Sequence, residues 1–402
     1  MQDISHLNAL TIGIPSPDIL VISRTFPPQA GGIEEYVYNR CLQDPDRVVV
    51  LTAGCSGDAA FDREQPFLVY RWSALRFFPS SVLSRVLKQV FNMACSFVFG
   101  IILFLRYRYR YIEWCHGYDF PALLLLSYLL PVRFFLYLHG HDLLCPLKNP
   151  VLRSLFEQTL NRAEAIVCNS SFTQDYLKSH FQFDTPTHVI NPVVRPEKFG
   201  DQGILDQLHE LRAKVRQTYN IPEEAVVILS VGRLVRRKGH DRAIENLPVL
   251  LAEGLDVYYL ICGRGPMEPE LRSLASKLGV EERVLFAGYV PDEQLASYYA
   301  ACDLFSMLTF FDTKDRSIEG FGIVYLEAGY FGKPVIASRV GGVEDAVRHG
   351  ESGILVDPNS NEEVAKALHQ LCMDSQLRER LGCKGRELAN RKNLHQTLYQ
   401  YK

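Results

Sequence analysis

The chain consists of short, unbroken apolar runs separated by stretches of helical periodicity. In the first half the runs fall at residues 19–23, 48–52, 111–114, 134–138, 165–168 and 188–190; in the second half they fall at 226–231, 257–262, 284–287, 304–307, 334–337 and 354–356. Runs rich in valine, isoleucine and leucine, without polar alternation, predict strands covered on both faces, and therefore parallel sheets with helices between successive strands. The fold class that follows is α/β, with two doubly wound parallel sheets whose ligands are expected at the carboxyl ends of the strands. A chain of 402 residues exceeds one ordinary core and divides naturally in two. The polar, proline-marked stretch 191–222 is the expected hinge.

The most informative segment is 317–340, reading SIEGFGIVYLEAGYFGKPVIASRV. Glu319 and Glu327 flank a glycine turn, Gly320-Phe321-Gly322, which opens a helix. Free backbone N–H groups near Gly322, Ile323 and Val324, at a positive helix end, suit a phosphate. Carboxylates there make sense as acceptors for hydroxyl groups, such as those of a ribose and a sugar. Together they point to a nucleotide sugar. Upstream, the run 226–231 ends at Gly232 and is followed by Arg233, Arg236, Arg237, Lys238 and Gly239. Arg233 and Lys238 are expected to converge on a diphosphate, with Arg236 and Arg237 in solvent. In the first half, Gly31 and Gly32 sit between a strand and a helix, where backbone approaches a ligand closely. His116 follows a strand, and so do His139, Gly140, His141 and Asp142. A zinc site from these histidines with Asp142 lacks supporting ligand spacing, and Asp44-Pro45-Asp46 reads as a turn.

The order of these stations resembles the retaining glycosyltransferases of family four, whose GT-B fold has two Rossmann-like domains facing across a cleft. The matching positions are Gly31-Gly32-Ile33-Glu34, His116, Asn169-Ser170, Asn191-Pro192-Val193, Gly232-Arg233 with Lys238-Gly239, Gly263-Arg264-Gly265-Pro266, Phe286-Ala287-Gly288-Tyr289-Val290, the glutamate pair, and 350–358. The resemblance implies an acceptor domain at 1–193, a nucleotide-sugar domain at 194–385 and a final helix at 386–402 bracing the first domain. It implies His116, Glu319, Arg233 and Lys238 as catalytic residues. Gly31, Gly32, Val290, Gly320, Phe321, Gly322, Ile323, Val324 and Glu327 complete the sugar-donor site, with Glu327 on the ribose. His139 and Asp142 are expected on the acceptor side. Arginine and lysine supply the positive charge, so neither metal nor cofactor is expected. The loop before Glu319 resembles members using GDP-mannose; UDP-glucose or UDP-N-acetylglucosamine is the alternative donor, and a sugar-nucleotide epimerase of the same fold the alternative enzyme. The chain departs from the family at Asn191-Pro192, where asparagine-glycine is usual.

Formal net charge is −3, yet residues 65–112 carry seven basic residues (Arg71, Arg76, Arg85, Lys88, Arg106, Arg108, Arg110) and no acidic one. Val82, Leu83, Val86, Leu87, Val90 and Phe91 recur there at helical spacing, followed by the apolar 97–105. No run here approaches the roughly 20 apolar residues of a membrane span. A basic amphipathic face with aromatics suits the surface of an anionic membrane instead. The expected partners are a nucleotide-sugar donor, a saccharide or lipid-linked acceptor and an anionic membrane, with no nucleic acid. Ten cysteines at least 11 residues apart have no metal or redox spacing, and the first 17 residues lack signal-peptide character. Both readings suit a cytoplasmic protein, peripheral on the inner face of the cell membrane.

Overall fold

The computed structural model describes residues 17–74, 82–200, 202–312, 317–391 and 398. The chain divides into two compact units. One runs to Cys168 and takes in Tyr176–Ile190 and Leu398; the other takes Asn169–Asp175 and the chain from Asn191 to Arg391.

The first unit holds a seven-stranded parallel sheet: β1 Ile19–Ile22, β2 Val48–Ala53, β3 Leu68–Trp72, β4 Tyr111–Trp114, β5 Arg133–Leu138, β6 Ala165–Cys168 and β7 Thr187–Val189, in the order β3-β2-β1-β4-β5-β6-β7. Register aligns Ile19 with Val48 on one side and with Tyr111 on the other. The second unit holds six strands: β8 Val226–Val231, β9 Val257–Cys262, β10 Val284–Gly288, β11 Leu304–Met307, β12 Val335–Ser338 and β13 Gly353–Val356, in the order β10-β9-β8-β11-β12-β13. The unbroken apolar runs have the expected cause. Leu20 and Ile22 enter one core layer while Ile19 and Val21 enter the opposite one. Val227 and Leu229 are likewise separated from Ile228. The central strands are buried on both faces and need no polar side, whereas the edge strands β3, β7 and β10 are only partly buried.

In each sheet strand order reverses at one place, between β1 and β4 and between β8 and β11. Loops leaving the carboxyl ends of such a strand pair diverge to opposite faces and leave a crevice. Arg24 and His116 follow β1 and β4; Arg233 and Thr309 follow β8 and β11.

Three expectations change. Strand β3 was absent from the sequence reading; it is an edge strand, partly exposed and carrying Arg71, so it shows no clean apolar run. Residues 82–91 and 97–105 form one helix, Val82–Tyr107, of 26 residues, and its Val86–Tyr107 portion is long and apolar enough to cross a bilayer. One side packs into the first unit through Leu103 and Phe104, while Val86, Leu87, Val90, Val98, Ile102 and Leu105 remain exposed. The last α-helix among the described residues, Ser375–Ala389, belongs to the second unit, so residues 386–389 complete that helix. Of the remaining expected brace, Leu398 is buried in a core layer of the first unit, and 392–397 and 399–402 lie outside the described residues, as do Arg76 and the first 16 residues.

Helix Ser375–Ala389 packs closely on helix Ile323–Tyr330. Glycines make this possible: a β-carbon at Gly382 would overlap the Gly332 carbonyl, and one at Gly329 would press on the backbone of Gly385. Gly382→Ala is therefore expected to destabilise the protein by about 1–3 kcal/mol, the usual cost of overpacking, read as a fall in urea midpoint at unchanged slope.

Candidate active site

Strand β8 delivers the basic loop. A short turn, Arg236–Lys238, ends at Gly239, whose φ of 66° lies in the left-handed region and whose missing β-carbon leaves room for the Leu308 carbonyl after β11. Gly239 also caps helix His240–Ala252. The turn is thereby pressed against the neighbouring strand end, and Phe310 N–H donates to the Arg237 carbonyl at 3.0 Å. Beneath it His240 and Tyr259 share a hydrogen bond of 3.0 Å, and Tyr259 meets Ser230 on β8 at 2.8 Å. This buried polar chain ties the loop to the sheet.

Glu319 reaches the same place from the other side of the strand reversal. Its Oε2 accepts from Lys238 Nζ at 2.6 Å and from Arg237 Nη1 at 2.7 Å. Burial alone would raise the Glu319 carboxyl, but Lys238 and then Arg237 outweigh it and hold the group at about 2. Burial pulls the Lys238 ammonium down, and Glu319 resists that pull. Arg237 thus departs from its expected place in solvent. Arg236 is exposed, and Arg233 is exposed with no side-chain partner among the described residues.

Gly322 caps helix Ile323–Tyr330 without a side-chain cap, so the first turn presents Ile323 and Val324 N–H groups outside the helical ladder. Phe321 and Val290 are buried in the core, leaving only their backbone for a ligand. Gly320 lies between Glu319 and this helix start. The loops after β8, β9 and β10 are stitched together: Leu234 N donates to the Arg264 carbonyl at 3.0 Å and Gly263 N to that of Gly288 at 2.7 Å. Glu327 lies deeper than expected, 1% exposed, with Oε1 accepting from Lys198 Nζ at 2.6 Å and Oε2 from Tyr299 Oη at 2.9 Å. Each Glu327 oxygen thus already holds one partner and keeps one further acceptor position.

In the first unit, Gly31 caps helix Gly32–Gln43, and Glu34 curls back over it; the space beside Gly32 is open. His116 is 3% exposed, and neither ring nitrogen has a hydrogen-bond partner among the described residues. Burial, then Arg24 and His139, lower its pKa well below the usual histidine value, so the ring is neutral. Asp119 lies 3.9 Å from His116 Nε2 and is held bidentately by Arg24, with Nε 3.2 Å from Oδ2. Asp142 accepts from Gly117 N at 2.8 Å and from His139 N at 3.0 Å, and His139 Nε2 meets the Cys115 carbonyl at 3.2 Å. These contacts lock the loop that carries His116. No group of three or more potential metal ligands is found among the described residues.

Sequence reasoning missed Arg24, Asp119, Lys198 and Tyr299. Arg24 carried a usable signal, standing directly past β1 as Arg233 stands past β8. Lys198 carried none, since its partner lies 129 residues away.

Comparison with known proteins gives a consistent picture. Residues 212–388 match the family of group 1 glycosyl transferases, and residues 30–198 match Glycosyltransferase Family 4. The chain is 28% identical over 381 residues, 92% of each chain, to a GDP-mannose-dependent alpha-(1-6)-phosphatidylinositol monomannoside mannosyltransferase of Mycobacterium tuberculosis. It is 32% identical over 251 residues, 62% of this chain and 64% of the other, to the protein of the same name from Mycolicibacterium smegmatis. The Anabaena HepE structure, in complex with UDP and glucose, superposes with a TM-score of 0.72 at 20% identity, covering 95% of this chain and 97% of that one; the fold is GT-B.

The Lys198–Glu327 pair yields a direct test. Lys198→Ala leaves a buried carboxylate with one hydroxyl partner, and a loss of roughly 3–5 kcal/mol is expected, read by urea unfolding. Lys198→Ala with Glu327→Gln should recover part of it.

Proposed function

The chain belongs to the group 1 glycosyltransferases, and on that footing we propose that it moves mannose from GDP-mannose to a lipid-linked acceptor, with retention of anomeric configuration. The observation that supports the reading is the meeting of Lys238 and Glu319 at the strand reversal of the second unit, with the Arg233 charge acting on Lys238 and helix Ile323–Tyr330 starting just past Glu319.

Arg233 and Lys238 would neutralise the diphosphate and stabilise the charge that grows on it as the glycosidic bond breaks. The Ile323 and Val324 N–H groups would add fixed dipoles there without reorganising. Glu319, ionised at every working pH, would accept hydrogen bonds from the sugar hydroxyls and hold the ring for attack. Glu327 would accept from the ribose hydroxyls with its remaining acceptor positions. Neutral His116, with both ring nitrogens unclaimed, would bond the sugar as a donor or acceptor. With Arg233 and Lys238 as counter-charges to the leaving group, the step would be metal-independent. His139 and Asp142 would act on the acceptor side through the loop they lock.

The relatives named above act on a phosphatidylinositol mannoside. A lipid acceptor accords with the exposed apolar strip of helix Val82–Tyr107, joined by Leu125, Tyr128 and Leu129 of the adjoining helix Phe120–Leu129 and rimmed by exposed Arg106, Arg108 and Arg110. That combination suits peripheral attachment to an anionic leaflet, on the cytoplasmic side where nucleotide sugars are made. Arg71 does not contribute, being paired with Asp62.

Among nucleotide sugars, GDP-mannose is expected to raise the melting temperature most; a larger shift with UDP-glucose or UDP-N-acetylglucosamine would reassign the sugar donor. Lys238→Ala should lower kcat by roughly 100-fold or more, the scale of a lost transition-state charge contact. Reversing charge at Arg106, Arg108 and Arg110 should weaken sedimentation with anionic vesicles at low salt and leave GDP affinity unchanged. Equal sedimentation of both proteins would remove the membrane from the reading.

A further inference from the structure

Arg237 is held in the site from two directions. Its carbonyl accepts from Phe310 N in the loop after β11, and its guanidinium meets Glu319 Oε2 at 2.7 Å. Lys238 reaches that same oxygen at 2.6 Å, and all three side chains are at most 16% exposed. One carboxylate oxygen therefore carries two cations where one would neutralise it.

The surplus has a purpose once a sugar-linked diphosphate is counted. Arg233, Arg237 and Lys238 bring three positive charges, Glu319 one negative charge and the diphosphate two. Arg237 then balances Glu319 and leaves Lys238 and Arg233 for the diphosphate, and an uncompensated carboxylate in a buried place is costly. Lys238, a compact ammonium on a flexible stem, can redirect its protons to phosphate, whereas Arg237 is clipped at its backbone beside Glu319. We propose that Arg237 is a positioning residue for Glu319: it stays on the carboxylate as Lys238 turns to the diphosphate, and keeps that carboxylate charged and aimed at the sugar. This rests on the glycosyl-transfer reading above.

The charged and titratable groups facing Glu319 are Arg237 and Lys238 from the basic turn, Arg233 behind Lys238, and Tyr325 of helix Ile323–Tyr330, whose hydroxyl donates to the Met307 carbonyl at 2.9 Å. Without Arg237, burial opposes Lys238 alone and the carboxyl rises. Loss of activity on acidification should then begin at higher pH.

The test compares wild type with Arg237→Met, Arg237→Lys, Glu319→Gln and the Arg237→Met/Glu319→Gln double variant, using the whole chain. GDP affinity is read by calorimetry, and kcat and KM are read with GDP-mannose across pH. Arg237→Met is expected to keep GDP affinity within about threefold while kcat falls roughly 10- to 100-fold, the size of a lost charged hydrogen bond. The acidic limb of kcat/KM should move up by about one unit or more, and Arg237→Lys should recover part of both. The double variant should be no slower than Glu319→Gln alone, because the two residues act as one. A tenfold loss of GDP affinity with an unmoved acidic limb would make Arg237 a phosphate ligand and overturn the proposal. Unchanged kcat and pH dependence would overturn it as an inert ion pair. Wild type that binds no GDP would instead sink the function on which it rests.

Discussion

Charge that has left water must be compensated locally, and the second unit is organised around that constraint. Glu319, Arg237 and Lys238 are all withdrawn from solvent, and none could be so alone without large cost. Their mutual contacts hold the basic turn and the glutamate loop together before any substrate arrives. The glycine closing the turn, the clip from Phe310 and the buried Ser230–Tyr259–His240 chain all serve to put three side chains within one hydrogen-bond length. A cluster assembled in this way is pre-organised: its charges are oriented by one another and by the backbone before any ligand is bound.

The parallel sheets were legible because burial on both faces leaves only one kind of residue acceptable. Twelve strands follow from unbroken apolar runs, and β3 escaped because an edge position tolerates exposure and a charged residue. The long helix Val82–Tyr107 was read as two stretches, 82–91 and 97–105, and the polar Asn92 and Ser96 lie in the gap between them. Asn92 accepts from the Trp72 indole at 3.1 Å, so its polarity is spent on β3 rather than on water. Periodicity records polarity, and it does not record where a polar group finds its partner.

The same distinction applies to the residues of the candidate site. Arg233, Lys238 and Glu319 are readable because they stand next to glycines at strand and helix ends, where local geometry restricts their role. Arg237 differs from Arg236 by one position along a three-residue turn, and only the three-dimensional path decides which of them faces the glutamate. Lys198 is readable by no local rule. Its partner, Glu327, lies on a helix whose position depends on glycines near the end of the chain.

The two sheets place an arginine at equivalent points, Arg24 after β1 and Arg233 after β8, both beside the strand reversal. They differ in their neighbours: Arg24 is paired bidentately with the Asp119 carboxylate, whereas Arg233 is exposed with no side-chain partner among the described residues. To an approaching polyanion the halves are therefore not alike, although their architecture is. One acidic residue, Asp119, is enough to break an approximate internal symmetry between the two strand reversals.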